Sequence, residues 1–198
     1  MSANRREALR TLAAGGLGAA ASALWVESLG ALARAHAKHA PLVHAGQVPA
    51  PWTPHVLNAH QNDTVITLTE LIIPQTDTPG AKATLVHRFV DSVLSEAESP
   101  TRESFLGGLA WMDARSTSLF GKDVVSASAE QPTDLLTRVS DPNAGPEDKA
   151  GADFFRAIKS MTITGYYTTK VGLQQELGDD GRLFQLSFTG CTHPEHQS

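Results

Sequence analysis

The residues that could do chemistry are few, and most sit where the chemistry lacks its usual support. Cys191 is the only cysteine, in Thr189-Gly190-Cys191-Thr192-His193-Pro194-Glu195-His196. One thiol excludes an internal disulfide and a cysteine-rich metal site, and leaves pairing with another chain, a buried thiol or an idle one. With His193 and His196 it offers zinc or copper ligand types, but three ligands on one short tail bring no second shell to orient them. Five histidines, His36, His39, His44, His55 and His60, lie in or beside a proline-rich stretch without the close, regular pairing of a structural metal site. The carboxylate pairs Glu96/Glu98 and Asp179/Asp180 have nothing around them in sequence to desolvate them, so no raised pKa and no general-acid role can be argued. A dinucleotide fold needs a strand, a Gly-rich turn and a helix in close order; Gly15-Gly16-Leu17-Gly18 sits in the N-terminal apolar run, and no GxGxxG, phosphate loop, GxSxG or CxxCH occurs. The chain is therefore expected to have no catalytic, cofactor-binding or metal-ligating residues of its own.

Bulk composition narrows the class. The 198 residues are 41% hydrophobic, enough for one domain with appendages. Removing residues 1–35 takes four of the 16 basic residues (Arg5, Arg6, Arg10, Arg34) and two of the 21 acidic ones (Glu7, Glu27), moving the formal charge from −5 to −7. That balance argues against nucleic acid, which binds a basic face.

Residues 1–37 read as an export signal. Arg5 and Arg6 precede an Ala-, Leu- and Gly-rich run from Thr11 to Leu32, and both Ala33-Arg34-Ala35 and Ala35-His36-Ala37 fit the small-x-small cleavage rule. Paired arginines before a weakly apolar run resemble a twin-arginine (Tat) signal, which exports folded cargo, although Ala8 stands where such signals often have Phe. An ordinary secretory signal or an uncleaved anchor is the other reading. Its many glycines and alanines make the run a poor permanent membrane span.

Residues 38–62 form a linker rich in Pro and His, broken by Pro41, Pro49, Pro51 and Pro54, in which Trp52 is placed to pin the segment to the domain or to a partner. Residues 63–198 form the domain proper. Val65, Leu68, Leu71 and Ile72 recur at helical spacing, with Asp63 or Asn62 as N-cap, and Pro74 ends that helix near Ile73. Asp77-Thr78-Pro79-Gly80 is turn chemistry. Further helices are predicted over about 82–97, with His87, Arg88, Asp91 and Glu98 away from the centre of the apolar stripe, then from Ser99 as N-cap to a Gly121 cap, over about 133–139, and over about 152–169. No β alternation competes. The expected fold is all-α, a bundle of about five short helices with an irregular C-terminal tail. Arg156, Tyr166 and Tyr167 have the amphipathic character of interface anchors; the tyrosines would equally cap the core with their hydroxyls in water.

The order of these pieces resembles a known family. Leu71-Ile72-Ile73-Pro74 with Thr78-Pro79-Gly80-Ala81, then Phe105-Leu106-Gly107-Gly108-Leu109, Leu119-Phe120-Gly121, Phe154-Phe155-Arg156-Ala157-Ile158-Lys159-Ser160-Met161-Thr162, Gly165-Tyr166-Tyr167-Thr168-Thr169 and Gly190-Cys191 are similar, over roughly residues 60–191, to the gluconate 2-dehydrogenase subunit 3 family. That resemblance implies a non-catalytic small subunit serving a GMC-type flavoprotein that carries FAD and oxidises a sugar or sugar derivative. It also implies electron transfer to a cytochrome c subunit with haem c or to another acceptor, and a role in maturation, Tat co-export and stability of the catalytic chain. The compartment would be the periplasm, possible membrane association would come through the complex, and Cys191 would be a candidate intersubunit disulfide. The reading from another class is a stand-alone periplasmic helical metal-binding protein or enzyme, which predicts turnover or stoichiometric metal in the isolated chain.

Overall fold

In the computed structural model, which describes residues 24–37, 52–143 and 145–180, every regular element is helical. Helix α1 covers residues 24–37. It is followed by α2 (Ala59–Ile72), α3 (Val86–Glu96), α4 (Ser99–Phe120), α5 (Glu130–Ser140) and α6 (Lys149–Tyr167). A 3₁₀ turn at Pro146–Asp148 leads into α6, and a π-helical turn at Val171–Glu176 follows it. The all-α bundle expected from the sequence is what forms.

Helix α6 is the hub, packing on α2, α3, α4 and α5. Phe154, Ile158 and Met161 project from it into a core shared with Phe105, Leu109 and Met112 of α4, Val90 and Leu94 of α3, Leu68 of α2 and Leu135 of α5, all fully buried or nearly so. Phe105 and Phe154 meet with ring centroids 5.0 Å apart. Small residues set the helix spacing: a Cβ on Gly108 would lie 2.5 Å from the Phe154 ring, and one on Gly151 would run into the Trp111 ring. Interiors packed this tightly accept no added methyl without backbone shifts. Gly151→Ala is therefore expected to destabilise the domain by about 1–3 kcal/mol, read as a lower denaturant midpoint at unchanged slope.

Three local outcomes differ from the sequence expectation. Helix α2 begins four residues before Asp63, because Asn58 forms a capping box: its Oδ1 accepts from Gln61 N (2.9 Å) and its own N–H donates to Gln61 Oε1 (3.0 Å). Helix α3 begins at Val86 rather than near Lys82, since Leu85 is left-handed (φ 61°, ψ 32°) and residues 81–85 make a separate turn. On α3, His87 and Asp91 are buried (7% and 1% exposed), not turned away from the apolar stripe. The segment 52–57 lies over that face and closes it. Gly121 does cap α4 in the left-handed region, with φ 74° and its N–H on Thr117 O at 2.8 Å.

Helix α1 falls inside the stretch that the sequence reads as export signal. It packs against the bundle, with Leu29 and Ala33 completely buried. Among the described residues, no helix is long and apolar enough to cross a membrane.

Candidate functional site

The Ile-Ile-Pro to Pro-Gly-Ala stretch is built around one carboxylate. Glu70, in the last turn of α2, reaches across the following loop; its Oε1 accepts from Gln75 N (2.9 Å) and its Oε2 from Lys82 N (2.7 Å). Ala81 N donates back to Ile73 O at 2.9 Å, closing the loop at its neck. Gly80 sits under the crossing: a Cβ there would lie 2.5 Å from both Gln75 N and Glu70 Oε1. The far side of the loop is held by α6, where the Tyr166 hydroxyl donates to Pro79 O at 3.0 Å and Thr78 Oγ1 bonds Glu176 of the π-helical turn.

A second clip holds the segment ahead of α2. Asp91 of α3 accepts three backbone amides, His55 N on Oδ2 (2.7 Å) and Val56 N and Leu57 N on Oδ1 (3.0 Å each). Trp52 then lies edge-on to His87 (centroids 5.3 Å apart), with the Arg88 guanidinium 5.1 Å from its ring centre. Trp52 thus pins its segment to the domain, one of the two uses the sequence left open.

Of the other candidate site residues, Tyr166 is buried (1% exposed) and Tyr167 is half-buried with its ring edge-on to Tyr166 at 5.2 Å. Gly165 beside them packs on Val86 and Phe89, so this glycine and Trp52 both lie against the first half of α3. Arg156 is not with them; ten residues earlier on α6, it is about 15 Å away along the axis. It is exposed, pairs with the buried Asp153 that Lys149 also contacts at 3.5 Å, and lines a cleft of ≈ 500 Å³ with Lys149, Asp141 and Lys159. Arg5, Arg6 and Cys191 lie outside the described residues. Among those residues, no group of three or more His, Cys, Asp or Glu side chains is placed to hold a metal ion.

Two histidines are pushed in opposite directions. His60 Nε2 lies 2.8 Å from Asp113 Oδ2, and that hydrogen bond, aided by the charges of Asp113, Asp123 and Asp63, raises its pKa above the usual value. His87 is lowered, chiefly by burial and secondarily by the Arg88 charge, and its Nδ1 is buried without a hydrogen-bond partner. The signs follow by linkage. The His60–Asp113 contribution is complete below the unfolded pKa of about 6.5 and fades as pH rises through the folded value. The neutral His87 contribution is complete above about 6.5 and is lost as pH falls through its depressed folded value. An NMR titration is expected to place the two histidines on opposite sides of that value, and Asp113→Asn to lower His60 alone.

A family match covers this architecture from α2 to the π-helical turn. The family model described as gluconate 2-dehydrogenase subunit 3 aligns to residues 59–179, more than half of the chain, opening on the first residue of α2 and closing just past the π-helical turn. The chain belongs to the gluconate 2-dehydrogenase subunit 3 family. No curated protein and no solved structure matches it. As a member of that family it is a subunit of a dehydrogenase complex, associating with a catalytic partner chain. The matched region of this subunit contains the Glu70 crossing, Asp91, Arg156 and both tyrosines; Trp52, Cys191 and α1 lie outside it. Sequence reading missed Glu70 and Asp91. Each sits off the centre of its apolar stripe, where a helix normally turns a solvated charge outward, so the sequence carried no local signal for either.

Proposed function

We propose that this chain is the non-catalytic small subunit of a periplasmic, FAD-dependent GMC-type dehydrogenase acting on a sugar or glucoside, and that it supports maturation, Tat co-export and stability of the catalytic subunit. The observation that carries this is the family match over residues 59–179. The FAD belongs to the partner in this reading, as the family resemblance implies, and no GxGxxG fingerprint follows the N-terminal apolar run in this sequence. Electrons would leave that flavin for a cytochrome c subunit or another periplasmic acceptor. A Tat signal on a small folded subunit can carry a partner that has already bound its flavin, so the partner needs no signal of its own. Exposed Arg156, with Lys159 and the 42%-exposed Ile163 on the same side of α6, offers a cation and an apolar side chain to a docking partner. Cys191 joins a partner cysteine by exchange with a disulfide-bearing oxidant of the exporting compartment: one thiolate attacks that disulfide, the second displaces the reduced carrier from the mixed disulfide, and the carrier leaves as a dithiol with the two electrons and two protons. Affinity purification of the tagged subunit from its native host is expected to bring down an FAD-containing chain, joined to it under non-reducing conditions and released by reductant or by Cys191→Ser. A flavin-free eluate contradicts the subunit reading; a flavoprotein that is never covalently joined contradicts only the disulfide.

A further inference from the structure

Helix α1 occupies the end of the stretch read as an export signal, yet it is fitted to the bundle at both ends and along its length. Leu29 and Ala33, one turn apart, are completely buried, and Trp25, Val26 and Leu32 pack against the same core. Gly30 is buried against α6, where a Cβ would sit 3.4 Å from Ser160 Oγ. Ser28 Oγ lies 3.3 Å from Thr101 Oγ1 in the first turn of α4. His36 Nδ1 lies 2.9 Å from Glu96 Oε1 at the end of α3, with its ring edge-on to Phe89 at 5.6 Å. Three helices thus contribute to its seat.

We infer that α1 is a permanent element of the folded subunit, and that its docking withholds the two small-x-small motifs from signal peptidase, so that the exported protein keeps residues 24–37. Cleavage after Ala35 or Ala37 requires two small side chains, two positions apart, to enter neighbouring pockets of a protease that binds an extended chain. In an extended chain, residues two apart share a side. In an α-helix they are turned about 200° from one another. In α1 they are opposed in just this way: Ala33 faces the core and Ala35 faces solvent. The peptide bond becomes a substrate only when α1 both undocks and unwinds, and cleavage then follows the population of that opened state. This inference rests on the folded-export part of the proposed function, because a chain threaded unfolded would meet the protease before α1 docks; it does not rest on the identity of the partner.

The test is the mature N-terminus of the native, exported subunit, read by intact mass. A chain beginning at or upstream of Leu24 is the expected result, and one beginning downstream of it, at His36 or Lys38 above all, overturns the inference. Leu29→Asp should release α1, giving the product cut at residue 35 or 37 and raising tryptic cleavage after the exposed Arg34 by about tenfold or more, as the open population rises. A Leu29→Asp chain of native helix content that is cut no faster than wild type also overturns it. Hydrogen exchange on the unmodified full-length chain needs no variant: amides 28–37 should be protected to the level of α3, and exchange there at unprotected rates contradicts a docked helix.

Discussion

Asp91→Ala is expected to lower the stability of the subunit by about 3 kcal/mol or more, a large part of what a domain of this size possesses. The carboxylate is 1% exposed and is the acceptor for the amides of His55, Val56 and Leu57. Alanine takes the acceptor from one buried amide (Leu57) and two part-buried ones (His55 and Val56), and an unsatisfied buried donor costs about 1–3 kcal/mol unless the segment peels away to reach water. Peeling has its own cost, because Leu57 is buried and Trp52 covers His87. Asp91→Asn separates the acceptor role from simple volume: its oxygen can keep the Val56 and Leu57 amides, while its NH₂ group turns a donor toward His55 N–H. A loss about a third to a half as large is expected for Asn, since one bond of three is broken. Thermal unfolding checks both, at about 2–4 °C per kcal/mol for a chain of this length. Equal midpoints for wild type and Asp91→Ala would rule out the clip.

Gly80→Ala is the second large effect, about 2–4 kcal/mol. The new methyl would meet a backbone nitrogen and the Glu70 carboxylate, both at 2.5 Å, and neither can yield without breaking the Glu70 bonds to Gln75 N and Lys82 N. Glu70→Gln keeps the shape and loses one of the two acceptors, so it should cost distinctly less. The pair distinguishes a steric requirement at Gly80 from a charge requirement at Glu70. Denaturant midpoints give the energies, and proteolytic nicking between Ile73 and Gly80 reports whether the loop has come loose. If Gly80→Ala is as stable as wild type and resists nicking equally, the crossing is not what specifies glycine here.

Much of this fold could be read from periodicity and punctuation. The apolar spacing of α3, α4 and α6, the stop at Pro74 and the left-handed cap at Gly121 all act locally, within one turn of chain, so a sequence displays them directly. What escaped depends on partners remote in sequence. Asp91 looks like a solvated helix face until residues 55–57, some 35 positions earlier, are laid over it. Glu70 looks like an exposed helix end until the loop folds back beneath it. Tyr166 has the profile of an interface residue, but its hydroxyl belongs to Pro79, 87 positions away. Leu85 carries no glycine-like signal, so the delayed start of α3 was invisible. The ordered motifs pointed to the family because their spacing survives as a linear pattern.

Two carboxylates of this subunit hold backbone in place. Glu70 and Asp91 both spend their acceptor capacity on amides of their own chain. Under the proposed function this chain contributes structure and escort to a dehydrogenase complex, and the partner supplies the chemistry. Deleting the gene for this subunit while expressing the catalytic chain tests that most directly, with flavin content, substrate oxidation and the compartment of the catalytic chain measured together. The predicted result is a catalytic chain held in the cytoplasm or lost to degradation, with periplasmic sugar-oxidising activity abolished and restored by the full-length subunit supplied from a second locus. A catalytic chain that reaches the periplasm, flavin-loaded and fully active, in the absence of this subunit would contradict the account.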